Sequence, residues 1–140
     1  MTKVYLASPW FRGVEPKMYE KILAKMRAEG YEVYAPIEHE VRDAWEMSNA
    51  DWGKQVFDDD VKALDNADEV WVLNFGMYSD SGTAWECGYA YGKGKVVKQL
   101  VYATEENTEF SLMMLNGCAT YDTMSNYLNN EKKSAKIEQK

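Results

Sequence analysis

Cysteine, proline and histidine are all scarce in this chain, with two, three and one in 140 residues. Cys87 and Cys118 are too few and too irregularly spaced for a disulfide framework or a zinc site. With a single histidine, His39, no Ser-His-Asp arrangement is arguable, and no His/Cys cluster points to a metal. Basic residues are also in short supply. Lys and Arg total 16 against 23 Asp and Glu, a net charge of −7, and phosphate backbones need a basic face. Nucleic acid is therefore not the expected partner. No apolar run is long enough for a membrane span, and the one at the N-terminus is too short for a signal peptide. A reducing cytoplasm is the expected location. No G-x-G-x-x-G follows the first apolar run and no P-loop lysine motif is present, so nothing supports a dinucleotide or a nucleoside triphosphate.

Aromatic residues, by contrast, make up 14% of the chain, including five Trp and ten Tyr. That exceeds what a small core needs and suggests rings lining a cavity or a subunit contact. The length fits one domain with a self-sufficient core.

Apolar runs alternate with helical patterns. KVYLAS at residues 3–8 reads as a buried strand halted by Pro9. Pro16 opens a helix in which Tyr19, Ile22, Leu23 and Met26 recur at helical spacing, and Gly30 closes it. YEVYA at 31–35 is a second strand, followed by a polar and aromatic loop over 37–52 whose length suggests a function. Asp51 is placed to cap a helix running to Asn66. EVWVLNF at 69–75 and KVVKQLVYA at 95–103 are further strands. A turn-rich loop at 76–82 precedes a helix from Thr83 to Gly92. Short helices follow around Phe110–Leu115 and from Asp122, and residues 129–140 read as a polar, frayed tail after a single domain over 1–128. The alternation predicts a parallel sheet with helices on both faces. Ligands of such sheets bind beyond the carboxyl ends of the strands, so residues 7–12, 36–45 and 75–86 should converge.

Several side chains in those segments could carry chemistry. Glu86 lies in the first turns of a predicted helix, where the dipole favours an ionised carboxylate, a competent nucleophile for a sugar carbon. Gly82, Ala84, Gly88 and Ala90 leave room around it. A capping-type glutamate fits the same spacing, and fits it better. Asp60 falls on the apolar stripe between Phe57 and Leu64, while Asp58 and Asp59 point outward. A buried carboxylate needs a partner or a raised pKa; the second would make Asp60 a proton donor, the first a structural hydrogen-bonding group. Asp80 reads in isolation as a turn residue. Trp10 and Phe11 can sandwich a planar base or cover a core edge. Glu38, His39 and Glu40 sit in the long loop, where a lone histidine is more often solvated than a ligand.

VYLASPWF at 4–11, FDDDVKAL at 57–64, DSGTAWECGYA at 80–90 and, more weakly, SLMM at 111–114 occur in an order that resembles the nucleoside 2-deoxyribosyltransferase family. The specific part is GTAWExG; the resemblance spans residues 3–121. It implies a flavodoxin-like, doubly wound parallel sheet of about five strands between helical layers. It implies Glu86 as nucleophile, Tyr5 as the hydroxyl that orients it, and Asp60 as the group exchanging a proton with the base. By the same resemblance Asp80, with Gly82 behind it, holds the sugar hydroxyls, Ala7, Trp10 and Phe11 line the base pocket, and Ser111 and Met113 belong to a segment donated by a neighbouring subunit of a dimer-based homo-oligomer, up to a hexamer. The implied substrates are 2′-deoxynucleosides and free purine or pyrimidine bases; the implied reaction is a retaining double displacement with no cofactor or metal.

Two departures matter. Family transferases usually carry Asn where this chain has Ser111, and the related 2′-deoxynucleoside 5′-monophosphate N-hydrolases place a serine there for phosphate. Those hydrolases, however, use Ser where this chain has Asp80, whose charge would repel a 5′-phosphate, and their Gly- and Arg-containing first loop is replaced by Pro9, Trp10 and Phe11. Transferase is the favoured reading, with nucleotide hydrolase and a non-enzymatic nucleoside-binding module as alternatives. Glu40 stands where a base-reading glutamine is common. Because an ionised glutamate only accepts hydrogen bonds, the expectation is a preference for bases with an exocyclic amine at that edge.

Overall fold

A computed structural model describes residues 1–9, 16–39, 41–129 and 136–140. In chain order the elements are β1 (Lys3–Ala7), α1 (Pro16–Ala28), β2 (Glu32–Tyr34), α2 (Asn49–Asn66), β3 (Glu69–Asn74), α3 (Ser81–Gly92), β4 (Val96–Val101), β5 (Glu109–Phe110), α4 (Leu112–Asn116), β6 (Thr120–Thr123), α5 (Met124–Asn129) and β7 (Glu138–Gln139). Short 3₁₀ turns at Pro36–Glu38 and Ala44–Glu46 interrupt the connection from β2 to α2. Five strands form one parallel sheet in the order β2-β1-β3-β4-β6. The order reverses between β1 and β3, the position at which open α/β sheets bind their ligands.

Each sheet face has its own core. Val4, Leu6, Trp71, Leu73 and Leu100 pack against Ile22 and Met26 of α1 and Met124 of α5. On the other face Tyr5, Ala7, Val70, Val72 and Val97 meet Leu64 of α2, Cys87 and Ala90 of α3 and Met114 of α4. The strand residues alternate between the two clusters because successive side chains on a strand point to opposite faces. The result is the three-layer α/β/α arrangement expected from the apolar runs. Among the described residues, no helix is long and apolar enough to cross a membrane.

The structure departs from the sequence reading at several element ends. Helix α2 starts earlier than expected: Ser48 is the cap, its hydroxyl accepting from the Asp51 amide at 3.1 Å. Asp51 sits three residues in, favourable to the helix dipole but not the cap. Helix α3 also starts earlier, at Ser81, with Asp80 as its cap. The fifth strand, β6, replaces the expected start of the last helix at Asp122, which begins only at Met124; TYDT carries no apolar run, and it is an edge strand with only Thr123 buried, held by its register with β4. The C-terminus is not frayed throughout. β7 pairs with β5, and the Lys140 carbonyl accepts from the Leu112 amide at 2.9 Å. A polar strand of this kind is stabilised by backbone pairing, which leaves no periodic apolar signal.

A buried polar chain ties the carboxyl end of β3 to α4. Asn74 donates to the Gln99 side-chain carbonyl at 2.7 Å, and Gln99 donates to the Met114 carbonyl at 2.8 Å. Both side chains are essentially fully buried, so removing one partner strands the others without water. Gln99→Ala is expected to lower stability by about 2–5 kcal/mol, read from the midpoint of urea denaturation.

Candidate active site

Tyr5 is fully buried in β1 and faces the helices α2 and α3. Its hydroxyl donates to the carboxylate of Glu86 on α3, joining residues 81 positions apart. Burial and the adjacent Glu86 carboxylate hold the Tyr5 phenol well above the usual tyrosine range, so it stays a donor at any working pH. Glu86 itself is pushed up to about 7, first by burial; Asp60 and Asp80 add to the rise, and only the Tyr5 hydrogen bond opposes it. The expectation of a carboxylate ionised by the helix dipole is therefore corrected. With the helix beginning at Ser81, Glu86 lies beyond the first turn, where the dipole's influence has faded, and desolvation prevails.

Asp60 lies half-buried on α2 and has no hydrogen-bond partner among the described residues. Its carboxyl is pushed up to about 6, by burial first and then by Asp59, with His39 pulling the other way. The neighbouring acids point outward as expected: Asp58 pairs with Lys54 and Asp59 accepts from Gln55. Phe57, in contrast, is not part of the core. It is 51% exposed and meets Trp85 of α3 edge-on at 5.3 Å, because α2 turns that flank toward α3 rather than the sheet.

Asp80 has a capping role that uses Oδ2 alone, accepting from the Thr83 amide at 3.0 Å and the Thr83 hydroxyl at 3.3 Å. Its other oxygen has no protein partner among the described residues and the residue is exposed. Gly82 lies close beside it: a Cβ there would sit 3.1 Å from Asp80 Oδ2, so a larger residue would press on that carboxylate. Ala7 ends β1, fully buried and in register with Val72. Tyr5, Asp60, Asp80 and Glu86 thus share one electrostatic neighbourhood near the carboxyl ends of β1 and β3. Ser111 and Met113 stand apart, at the start of α4, with Met113 76% exposed, and no hydrogen bond among the described residues links them to that group. Trp10, Phe11 and Glu40 lie outside the described residues. Among the described residues no three His, Cys, Asp or Glu side chains come together as metal ligands.

Tyr34 and His39 were not singled out as site residues, yet their rings lie beside it. Tyr34 stacks on Tyr5 with centroids 5.6 Å apart, and His39 stacks on Tyr34 at 4.0 Å and 7°. The available signal was the alternation of Glu32, Val33 and Tyr34, which places Tyr34 on the same sheet face as Tyr5.

Comparison with known proteins agrees with this fold. Among curated proteins none matches the chain by sequence. A 2-deoxyribosyltransferase from Bacillus psychrosaccharolyticus superposes with a TM-score of 0.76 at 28% identity, over 98% of this chain and 99% of that one. A CMP N-glycosidase from Clostridium botulinum (TM-score 0.60, 20% identity, 92% and 97% covered) shares the fold, as does a 2-deoxyribosyltransferase from Leishmania mexicana (TM-score 0.56, 16%, 99% and 91%). The sequence profile of nucleoside 2-deoxyribosyltransferase matches residues 4–133, a span holding β1, the Asp60 helix and the Glu86 helix in family order, so the chain belongs to the nucleoside 2-deoxyribosyltransferase family, whose enzymes act on N-glycosidic bonds.

Proposed function

We propose that the protein transfers a 2-deoxyribosyl group between nucleobases by two displacements at Glu86. In the first, a Glu86 oxygen forms a bond to C1′ while the C1′–N bond breaks; the base leaves with that electron pair and takes a proton from Asp60. In the second, a nitrogen of the incoming base attacks C1′, the ester C–O bond breaks back to Glu86, and Asp60 recovers a proton. Two inversions at one centre retain configuration, as in retaining glycosidases. The observation that carries this reading is the Tyr5–Glu86 hydrogen bond, which aims one carboxylate from α3 at the sheet's switch point, with a second carboxyl of raised pKa nearby.

A nucleoside is favoured over a nucleotide by Asp80. The amino end of a helix ordinarily welcomes phosphate, but here a carboxylate already caps α3 through the Thr83 amide, and a 5′-phosphate would meet its charge. Its unpartnered oxygen suits a sugar hydroxyl instead. Exposed Leu112 and Met113 support assembly with further copies, with this segment completing a neighbour's site. Two free cysteines suit a reducing cytoplasm.

Chromatography of deoxyuridine incubated with adenine tests the reading: deoxyadenosine and uracil should appear together. Uracil alone, or base freed from a deoxynucleoside monophosphate, would instead identify a hydrolase, and binding without turnover a non-enzymatic module. The pH profile is a second test. Reaction needs Glu86 ionised and Asp60 protonated, with the two carboxyls titrating at about 7 and about 6. The competent form is thus the less populated arrangement of one proton on the pair. A narrow bell in kcat/KM centred near about pH 6.5 is expected, falling about tenfold per pH unit beyond each limb, its limbs belonging to the pair. A flat profile between about pH 5 and 8 would contradict it.

A further inference from the structure

We infer that Asn74 is a positioning residue for the reaction, acting through the Phe75–Gly76 peptide to set where Asp80 meets the sugar. That role rests on the base-exchange reading, with the free oxygen of Asp80 taking the sugar's 5′-hydroxyl. Asn74 ends β3 and is fully buried. Its Oδ1 accepts from the Gly76 amide at 3.1 Å. The Phe75 carbonyl belongs to the same peptide unit and accepts from Asn107 Nδ2 at 2.9 Å. Asn107 Nδ2 is anchored in turn, donating to the Tyr102 carbonyl at 2.6 Å. Both polar groups of one peptide plane are therefore gripped by asparagine side chains. A Cβ on Gly76 would already touch Asn107 Oδ1 at 3.4 Å, so the grip is close.

That plane is the root of the loop that delivers Asp80. No hydrogen bond among the described residues holds residues 77–79, and Tyr78 is 96% exposed. The loop is held at its two ends, by the 75–76 peptide and by the Asp80 cap of α3. Asn74 has one way to do this. Gln99 donates to the Met114 carbonyl, so the Gln99 oxygen faces Asn74 and requires its NH2. Asn74 Oδ1 is then left for the Gly76 N–H. A backbone acceptor at one end and a backbone donor at the other thus fix both side-chain amides. An asparagine bonded to the backbone two residues on is ordinarily a turn feature. Here it is buried, so solvent does not replace a lost bond.

The test is base exchange to adenine from two donors, deoxyuridine and 2′,5′-dideoxyuridine, which lacks the 5′-hydroxyl. In Asn74→Leu, similar in size but without polar atoms, kcat/KM for deoxyuridine should fall about tenfold. For the 5′-deoxy donor it should change by less than about twofold. Equal losses with both donors, the mark of a merely structural residue, would overturn the inference, as would no loss with either. Asn107→Ala frees the other end of the same peptide from a half-buried loop position. It should show the same split between donors, and it decides the matter should Asn74→Leu fail to fold. Amide hydrogen exchange separates this from failure of the base-exchange reading. The Gly76 amide should exchange at least about tenfold faster in Asn74→Leu whether or not the protein turns over. Unchanged protection there would refute the grip. A freed Gly76 amide beside a parent that exchanges no base would instead sink the base-exchange reading, and the role of Asn74 in the reaction with it.

Discussion

Glu86→Ala is expected to abolish base exchange, with a loss of at least about 10⁴-fold in kcat. The reason is chemical: without the carboxylate no ester can hold the sugar between the departure of one base and the arrival of the next. Neither Asp60 nor Asp80 can stand in. In the proposed mechanism Asp60 serves as the proton donor, and Asp80 is tied to the Thr83 amide. Trapping makes the test sharper. Trypsin cuts after Lys62 and Lys93, so residues 63–93 carry Glu86 while Asp60 departs with residues 55–62. Mass spectrometry of protein quenched during turnover should find the deoxyribosyl adduct on the first peptide. Exchange that survives in Glu86→Ala, or an adduct on the second peptide, would move the nucleophile elsewhere.

Glu86→Gln should leave the protein inactive but more stable at alkaline pH. The Glu86 carboxyl rises from 4.5 to about 7 on folding, so the folded state binds this proton more tightly than the unfolded chain. Stability from that group is full below about 4.5, declines as pH rises, and is lost above about 7. The difference corresponds to about 3 kcal/mol at pH 8 and under about 1 kcal/mol at pH 5. Glutamine keeps an oxygen to accept from Tyr5 and carries no charge to desolvate. Urea denaturation of both proteins at the two pH values measures this directly. Equal stabilities at pH 8 would mean that Glu86 is solvated or differently paired. An expected gain from removing the proposed nucleophile fits a partly buried carboxylate kept for chemistry rather than for folding.

The fold was largely readable where burial makes strands apolar. β1, β3 and β4 are predominantly apolar, with Lys98 and Gln99 the polar interruption in β4, because both sheet faces are covered. β6 and β7 were missed for the converse reason: their side chains are mostly exposed and their backbones do the pairing. The start of α2 was misjudged by three residues and that of α3 by two, because Ser48 and Asp51, like Asp80 and Thr83, are all plausible caps. Local composition does not decide which one the chain reaches first.

Residue order was enough to bring the segments holding Asp80 and Glu86 to the strand ends of one α/β sheet, since alternating elements and short connections allow few other topologies, whereas Tyr5 and Asp60 were tied to them only by the family resemblance. Their charge states were not contained there. Glu86 looked ionised from its position in a helix, yet burial contributed by β1, α2 and α3 together raises it to about 7. The Tyr5–Glu86 bond and the His39–Tyr34 stack likewise join segments far apart in the chain or held by a turn. Desolvation and stacking are sums over neighbours from separate elements, so they acquire values only once those elements have packed.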